Sequence, residues 1–202
     1  VIMTPPPEKR IIVAITGASG AVYPQRLIRR LVEAEVNVHL VVSTFGRRLL
    51  HDELAIAEVS AEVLIGRSTD RLTVHPYRDV GCVIASGSFH TDGMIVCPCS
   101  SKTLGSIAAG VGDSLLDRAA AVTLKERRRL ILVYREMPMS HIDLLNAIRL
   151  SEAGAIICPA SPGFYMLPKT VDDLVDFVVG KLLDLVGVAH MLRTRWADRL
   201  EE

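Results

Sequence analysis

Hydroxyl and cationic residues gather at a few places in this sequence, each directly after an apolar run. Thr16-Gly17-Ala18-Ser19-Gly20 follows Ile11 to Ile15, and Ser43-Thr44 follows Val36 to Val42. Pro98-Cys99-Ser100-Ser101-Lys102-Thr103 follows Gly93 to Cys97, Arg135-Glu136 follows Leu130 to Tyr134, and Pro159 to Tyr165 follows Ala155 to Cys158. Small residues let backbone N–H groups close on an anion, and a helix that starts there adds its dipole. Hydroxyls and cations add further donors. The chemistry that suits such a set is the holding of a phosphate. Each segment also has a plain structural reading: tight turns need glycine, and Ser100 or Ser101 makes an ordinary helix N-cap.

The glycine turn is not G-x-G-x-x-G, because Val22 occupies the last glycine position. An NAD site would also place Asp or Glu at the end of the second strand to hold the ribose diol. Ser43 stands there instead. Both facts point away from a dinucleotide and toward a shorter phosphorylated cofactor such as FMN.

Other residues divide between a structural and a chemical reading. Lys125-Glu126-Arg127-Arg128-Arg129 suits a solvated helix end, where cations complement the negative terminus. Lys125 follows Arg118 by about two helical turns and is expected to face it. Arg135-Glu136 opens directly from a buried strand, where an Arg–Glu surface pair is the simpler alternative. Tyr165 lies in a proline-bounded loop, and Lys181 sits among apolar neighbours, either snorkelling or facing a site. Trp196, the one tryptophan, is in a charged tail and suggests docking on a neighbouring subunit. The six histidines make no HExxH or other ligand spacing, so no metal is expected. The four cysteines, Cys82, Cys97, Cys99 and Cys158, read as reduced and buried.

The elements that must position these residues alternate. Strands are predicted at Ile11 to Ile15, Val36 to Val42, Gly93 to Cys97 (ending at Pro98), Leu130 to Tyr134 and Ala155 to Cys158. Helices are predicted from Val22, over Gly46 to Leu54, Thr103 to Ala109, Leu115 to Arg127, His141 to Ala153 and Asp172 to Val186. Thr170 and Asp173 make a capping-box start for the last, and capping accounts for Asp172-Asp173. Ile56 to Ala85 shows no clear pattern. Alternation of this kind gives an α/β fold with a mainly parallel sheet, whose ligands bind at the carboxyl ends of the strands.

The 202 residues suit one domain over 11–190, with an extended lead-in at 1–10 and a tail at 191–202. Lys plus Arg and Asp plus Glu both number 23, and that balance excludes a dedicated nucleic-acid binder. A near-neutral surface favours self-association. No apolar run reaches the ~18–20 residues of a membrane span, and the first ten residues hold no signal-peptide core. A cytoplasmic location is expected.

Ile15 to Ala21, Ser86-Gly87-Ser88-Phe89, Cys97-Pro98-Cys99-Ser100, Asp117-Arg118-Ala119-Ala120, Leu124 to Arg128, Arg135-Glu136-x-Pro138 and Pro162-Gly163-Phe164-Tyr165 together resemble the UbiX flavin prenyltransferase family, from about Arg10 to Trp196. The resemblance implies a flavodoxin-like or Rossmann-like three-layer fold and a dodecamer. It implies an enzyme that joins a dimethylallyl group from dimethylallyl monophosphate to N5 and C6 of reduced FMN, without a metal. The prenylated flavin then serves a UbiD-type decarboxylase, and a flavin reductase supplies reduced FMN. By position, FMN contacts fall on Gly17, Ala18, Ser19, Ser43, Ser100, Ser101, Lys102, Thr103 and Arg135. Prenyl phosphate contacts fall on Tyr165 and Lys181, helped by Arg118, Lys125 and Arg135, with Trp196 offering a π face to the allyl group. Ser19 and Glu136 take part in proton handling, while Lys125 and Arg118 assist catalysis. Lys181 stands where the family often has Arg, which keeps the charge and loses the bidentate fork. Two competing readings are a flavin-dependent cysteine decarboxylase of the same fold, for which His75 and His90 are the candidate histidines, and a non-catalytic FMN carrier.

Overall fold

The computed structural model describes residues 8–192, 194 and 195. Six strands, β1 (Arg10–Ile15), β2 (Asn37–Val42), β3 (Leu72–His75), β4 (Gly93–Cys99), β5 (Arg129–Tyr134) and β6 (Ile156–Ile157), form one sheet. Its order is β3-β2-β1-β4-β5-β6, and every pairing is parallel. That is the doubly wound order, with its topological switch point between β1 and β4. The apolar runs of the sequence are explained by burial on both faces. Ile11, Val13 and Ile15 of β1 pack on one side with α1 (Val22–Glu33) and α7 (Val171–Leu185). Ile12 and Ala14 pack on the other with α4 (Ser101–Ala108) and α5 (Leu115–Lys125). The remaining helices are α2 (Thr44–Leu54), α3 (Ala61–Ile65) and α6 (His141–Glu152).

Three expectations are corrected. β4 does not stop at Pro98 but continues to Cys99, through a register shift after Val96. The shift returns Cys99 to the face of Met94 and Val96, whereas Cys97 lies on the face of Ile95. The unpatterned stretch contains α3 and β3; β3 is a four-residue edge strand with Thr73 exposed, too short to show alternation. The helix expected from Thr103 starts at Ser101 because Ser100 caps it, its hydroxyl accepting the Thr103 N–H. Similar hydroxyl caps at Ser43, Ser114, Ser140 and Thr170 open α2, α5, α6 and α7. Each is worth about 1 kcal/mol, and the last two are full capping boxes.

The described beginning of the tail folds on its own subunit. Thr194 is buried, its carbonyl accepts the Tyr165 hydroxyl at 3.0 Å, and Arg195 pairs with Asp184 at 2.6 Å. Trp196 and the lead-in prolines lie outside the described residues. Among the described residues no helix is long and apolar enough to cross a membrane.

Candidate functional site

Two strand ends meet at the switch point through one side chain. The Thr16 hydroxyl donates to the Pro98 carbonyl at 2.6 Å and accepts the Ser100 N–H at 3.0 Å. That bridge fixes the turn after β1 against the turn after β4. The third turn, after β2, is drawn in by close packing. A Cβ on Gly46 would lie 2.4 Å from the Ile15 carbonyl oxygen, and one on Gly17 would lie 2.6 Å from Phe45 Cβ. Only glycine lets α2 start this close to β1. Between these turns lies a cavity of about 740 Å³, to which Gly17, Ser43, Ser100, Lys102 and Thr103 contribute together with Thr16, Tyr77 and Arg78. Thr16 ends the first apolar run and was not singled out among the expected ligands; its buried hydroxyl at a strand end was the signal.

In the turn after β1, the carboxylate of Glu53 accepts the Gly20 N–H at 3.0 Å and the Ala21 N–H at 2.8 Å, while among the described residues no partner is found for the N–H groups of Gly17, Ala18 and Ser19. Burial pushes the Glu53 carboxyl upward, but hydrogen bonds from Ser19, Ala21 and Gly20 and the charge of Arg135 outweigh it and hold the group below its usual range. Sequence reasoning missed Glu53, because nothing in its spacing on α2 links it to a turn more than thirty residues earlier. Ala18 and Ser19 stand on this turn and are not among the cavity's lining residues.

The turn after β4 is different. Ser100 spends its hydroxyl on the Thr103 N–H, while among the described residues no partner is found for the N–H groups of Ser101 and Lys102. Arg135, at the neighbouring strand end, donates its backbone N–H to the Cys99 carbonyl at 3.2 Å. Its Nε is buried with no hydrogen-bond partner among the described residues. A buried guanidinium N–H without an acceptor is costly and suits an anionic or carbonyl-bearing ligand. Next to it, the Ser101 hydroxyl lies 2.8 Å from the Tyr134 hydroxyl and donates to Glu136 Oε2 at 3.5 Å. Burial pushes the Tyr134 phenol up. Glu136 itself is exposed, with Oε1 accepting the Met137 N–H.

Like Ala18 and Ser19, the expected residues Ser101, Arg135, Glu136, Arg118, Lys125, Lys181 and Tyr165 are not among the cavity's lining residues. Arg118 donates from Nε to the Ala85 carbonyl at 3.3 Å, and Lys125 pairs with Glu126 at 3.5 Å. α5 begins beside the cavity at Ser114 and ends where β5 starts, so Lys125 lies roughly 15 Å along the helix from its first residue. Lys181 is on α7, across the sheet, where its charge acts on Cys158. Tyr165 packs edge-on against Phe177 and reaches Thr194, and Trp196 is outside the described residues. Arg128 also departs from a solvated helix end: it donates to the carbonyls of Gly87 and Phe89.

The family model described as Flavoprotein matches residues 3–183. A flavin prenyltransferase UbiX from Halalkalibacterium halodurans is 46% identical over 190 residues, covering 92% of this chain and 92% of that protein. This chain belongs to the UbiX flavin prenyltransferases of the Flavoprotein family. AnUbiX (PadA1), solved with FMN and dimethylallyl pyrophosphate, is 42% identical with a TM-score of 0.83, covering 89% of this chain and 93% of that one. A dodecameric FMN-dependent UbiX-like decarboxylase from Escherichia coli O157:H7 is 44% identical with a TM-score of 0.84, covering 93% and 98%. The expected flavodoxin-like α/β architecture is thus found both in the sheet order and in these UbiX structures.

Proposed function

We propose that this chain is a flavin prenyltransferase that holds FMN and dimethylallyl monophosphate at the carboxyl edge of its sheet and joins the two. The observation that carries this reading is the convergence of Gly17, Ser43, Ser100, Lys102 and Thr103 on one cavity, with Arg135 at a neighbouring strand end, its buried Nε lacking an acceptor among the described residues. These residues, with Ala18, Ser19 and Ser101 on the same turns, hold FMN. Reduced FMN supplies the electron-rich N5 and C6 atoms that receive the five-carbon group.

The remaining residues act on the other substrate. Breaking its allylic C–O bond leaves negative charge on a phosphate, and fixed cations and donors stabilise that charge. Arg135, Lys181 and Tyr165 supply them, each well-placed donor lowering the barrier by roughly 2.7–4 kcal/mol. Arg118 and Lys125 take part from an adjoining copy, because α5 and α7 lie on opposite faces of the sheet and Lys125 sits at the far end of α5. A dodecamer supplies such neighbours. Trp196 covers the allyl group. Glu136 accepts the proton lost as the product forms, oriented by Ser101, while Ser19 and Glu53 make a second proton-handling pair. The product passes to a UbiD-type decarboxylase in the cytoplasm, and a flavin reductase supplies reduced FMN.

A cysteine decarboxylase is the weaker reading. His75 ends β3, but its ring is engaged by His39 and Cys82 and is not among the cavity's lining residues. The test is anaerobic: dimethylallyl monophosphate is added to the protein loaded with reduced FMN. A change in the flavin absorbance supports the proposal, and an unchanged spectrum identifies a carrier.

A further inference from the structure

A second hydrogen-bonded set of reactive side chains lies behind the wall of the cavity. Cys82 Sγ is 3.1 Å from His75 Nδ1, and His75 Nε2 is 2.9 Å from His39 Nδ1. The three come from separate places: His39 from the middle of β2, His75 from the end of β3, and Cys82 from the loop that turns back around Asp79. Phe89 stands edge-on against His39 at 5.1 Å, and Arg10 covers Phe89 at 5.4 Å, so the rings are held in place.

The protons on this chain have a definite order. Burial, the neighbouring His75 and Arg10 push His39 down to about 4. Burial also lowers His75, against the opposing charge of Asp79. Both rings are therefore neutral at neutral pH, each with one donor and one acceptor nitrogen. With Cys82 as the thiol donor, its S–H points to His75 Nδ1, and His75 Nε2–H points to His39 Nδ1. The thiol thus has a base at its sulfur, and the base has an orienting group behind it. That is the arrangement by which proteins activate a nucleophile.

The other three thiols lack this. Cys97 and Cys99 are fully buried, and burial pushes both thiols up. Burial also raises Cys158, against the charge of Lys181. Cys82 is only half-buried, between exposed Val80, Gly81 and Val83. The expectation that every cysteine is buried therefore fails at Cys82, as it does at Cys158.

We propose that Cys82 is a base-activated thiol, a modification site separate from the flavin cavity that reacts with small disulfides. In the step, Cys82 Sγ attacks one sulfur of the disulfide, and its proton passes to His75 Nδ1. A new S–S bond joins Cys82 to that sulfur, the old S–S bond breaks, and the other half leaves as a thiolate. Cys82 is oxidised and the small disulfide is reduced. The loop that carries Cys82 runs from Tyr77 and Arg78 in the cavity wall to Ala85, which holds Arg118. A group added at Cys82 therefore lies between two parts of the established machinery.

The experiment treats the full-length, reduced protein with the aromatic disulfide of thionitrobenzoate at neutral pH. Released thionitrobenzoate is followed by absorbance, and the labelled peptide is located by mass spectrometry. One fast equivalent per chain is expected on Cys82, at least about tenfold faster than on glutathione. Cys82→Ser removes the fast phase, and His75→Gln slows it by about tenfold or more. The comparison with glutathione needs no variant, so it stands even where His75→Gln fails to fold. A fast label on another cysteine, a Cys82 rate no greater than that of glutathione, or a folded His75→Gln protein reacting at the native rate overturns the proposal.

Discussion

Two turns flank the switch point, one after β1 and one after β4, and both looked like anion sites. The first is partly closed from within: Glu53 reaches across from α2 and occupies the Gly20 and Ala21 N–H groups, while those of Gly17, Ala18 and Ser19 keep no partner among the described residues. The second is open, with Ser101 and Lys102 N–H groups unpartnered among the described residues and Lys102 and Thr103 lining the cavity. The same local signature, small or hydroxyl residues at a helix start, thus has two outcomes. What decides between them is whether a distant acidic side chain arrives first.

The largest effect is expected where the turn after β2 packs against the end of β1. Gly46→Ala drives a methyl group into the Ile15 carbonyl, and overpacking of this kind costs about 1–3 kcal/mol. The melting temperature falls and FMN affinity drops by about tenfold or more, as read by a thermal melt and a fluorescence titration. Next comes a matched pair. Ser100→Ala on the open turn costs about 1 kcal/mol of stability and weakens FMN by about tenfold. Glu53→Gln on the partly closed turn leaves the FMN Kd within about threefold while slowing product formation by about tenfold. The reverse pattern, with FMN lost in Glu53→Gln and kept in Ser100→Ala, breaks the distinction between the turns.

The smallest effect is on acid stability. The folded Glu53 carboxyl is held below its value of 4.5 in a free chain. Its contribution is complete above that value and is lost as pH falls through the lower folded value. Melts of Glu53→Gln therefore lose less stability than the native protein over that acid range. Parallel curves for the two proteins place the Glu53 contacts outside the energetics of the fold.

Much of this was legible because β1, β2, β4 and β5 are buried on both faces and read as unbroken apolar runs. Residues after β1, β2 and β4 line the cavity as a consequence of the parallel topology. β3 was not legible, since an edge strand of Leu72, Thr73, Val74 and His75 carries too few apolar residues to show a period. Its loss hid His75, and with it the Cys82–His75–His39 chain. Glu53 was hidden for another reason: a side chain that crosses between elements leaves no trace in local spacing. Arg118 was legible as a residue and not as geometry, because its side chain reaches the Ala85 carbonyl, a contact that local spacing does not show.

The central claim is that one sheet edge holds a flavin and a five-carbon phosphoester close enough to join them. Mass spectrometry of the flavin extracted after anaerobic incubation with reduced FMN and dimethylallyl monophosphate tests it most directly. The account predicts FMN heavier by one C5H8 unit, formed in proportion to turnover and absent without the protein. Recovery of unchanged FMN from a protein that has bound both compounds contradicts it.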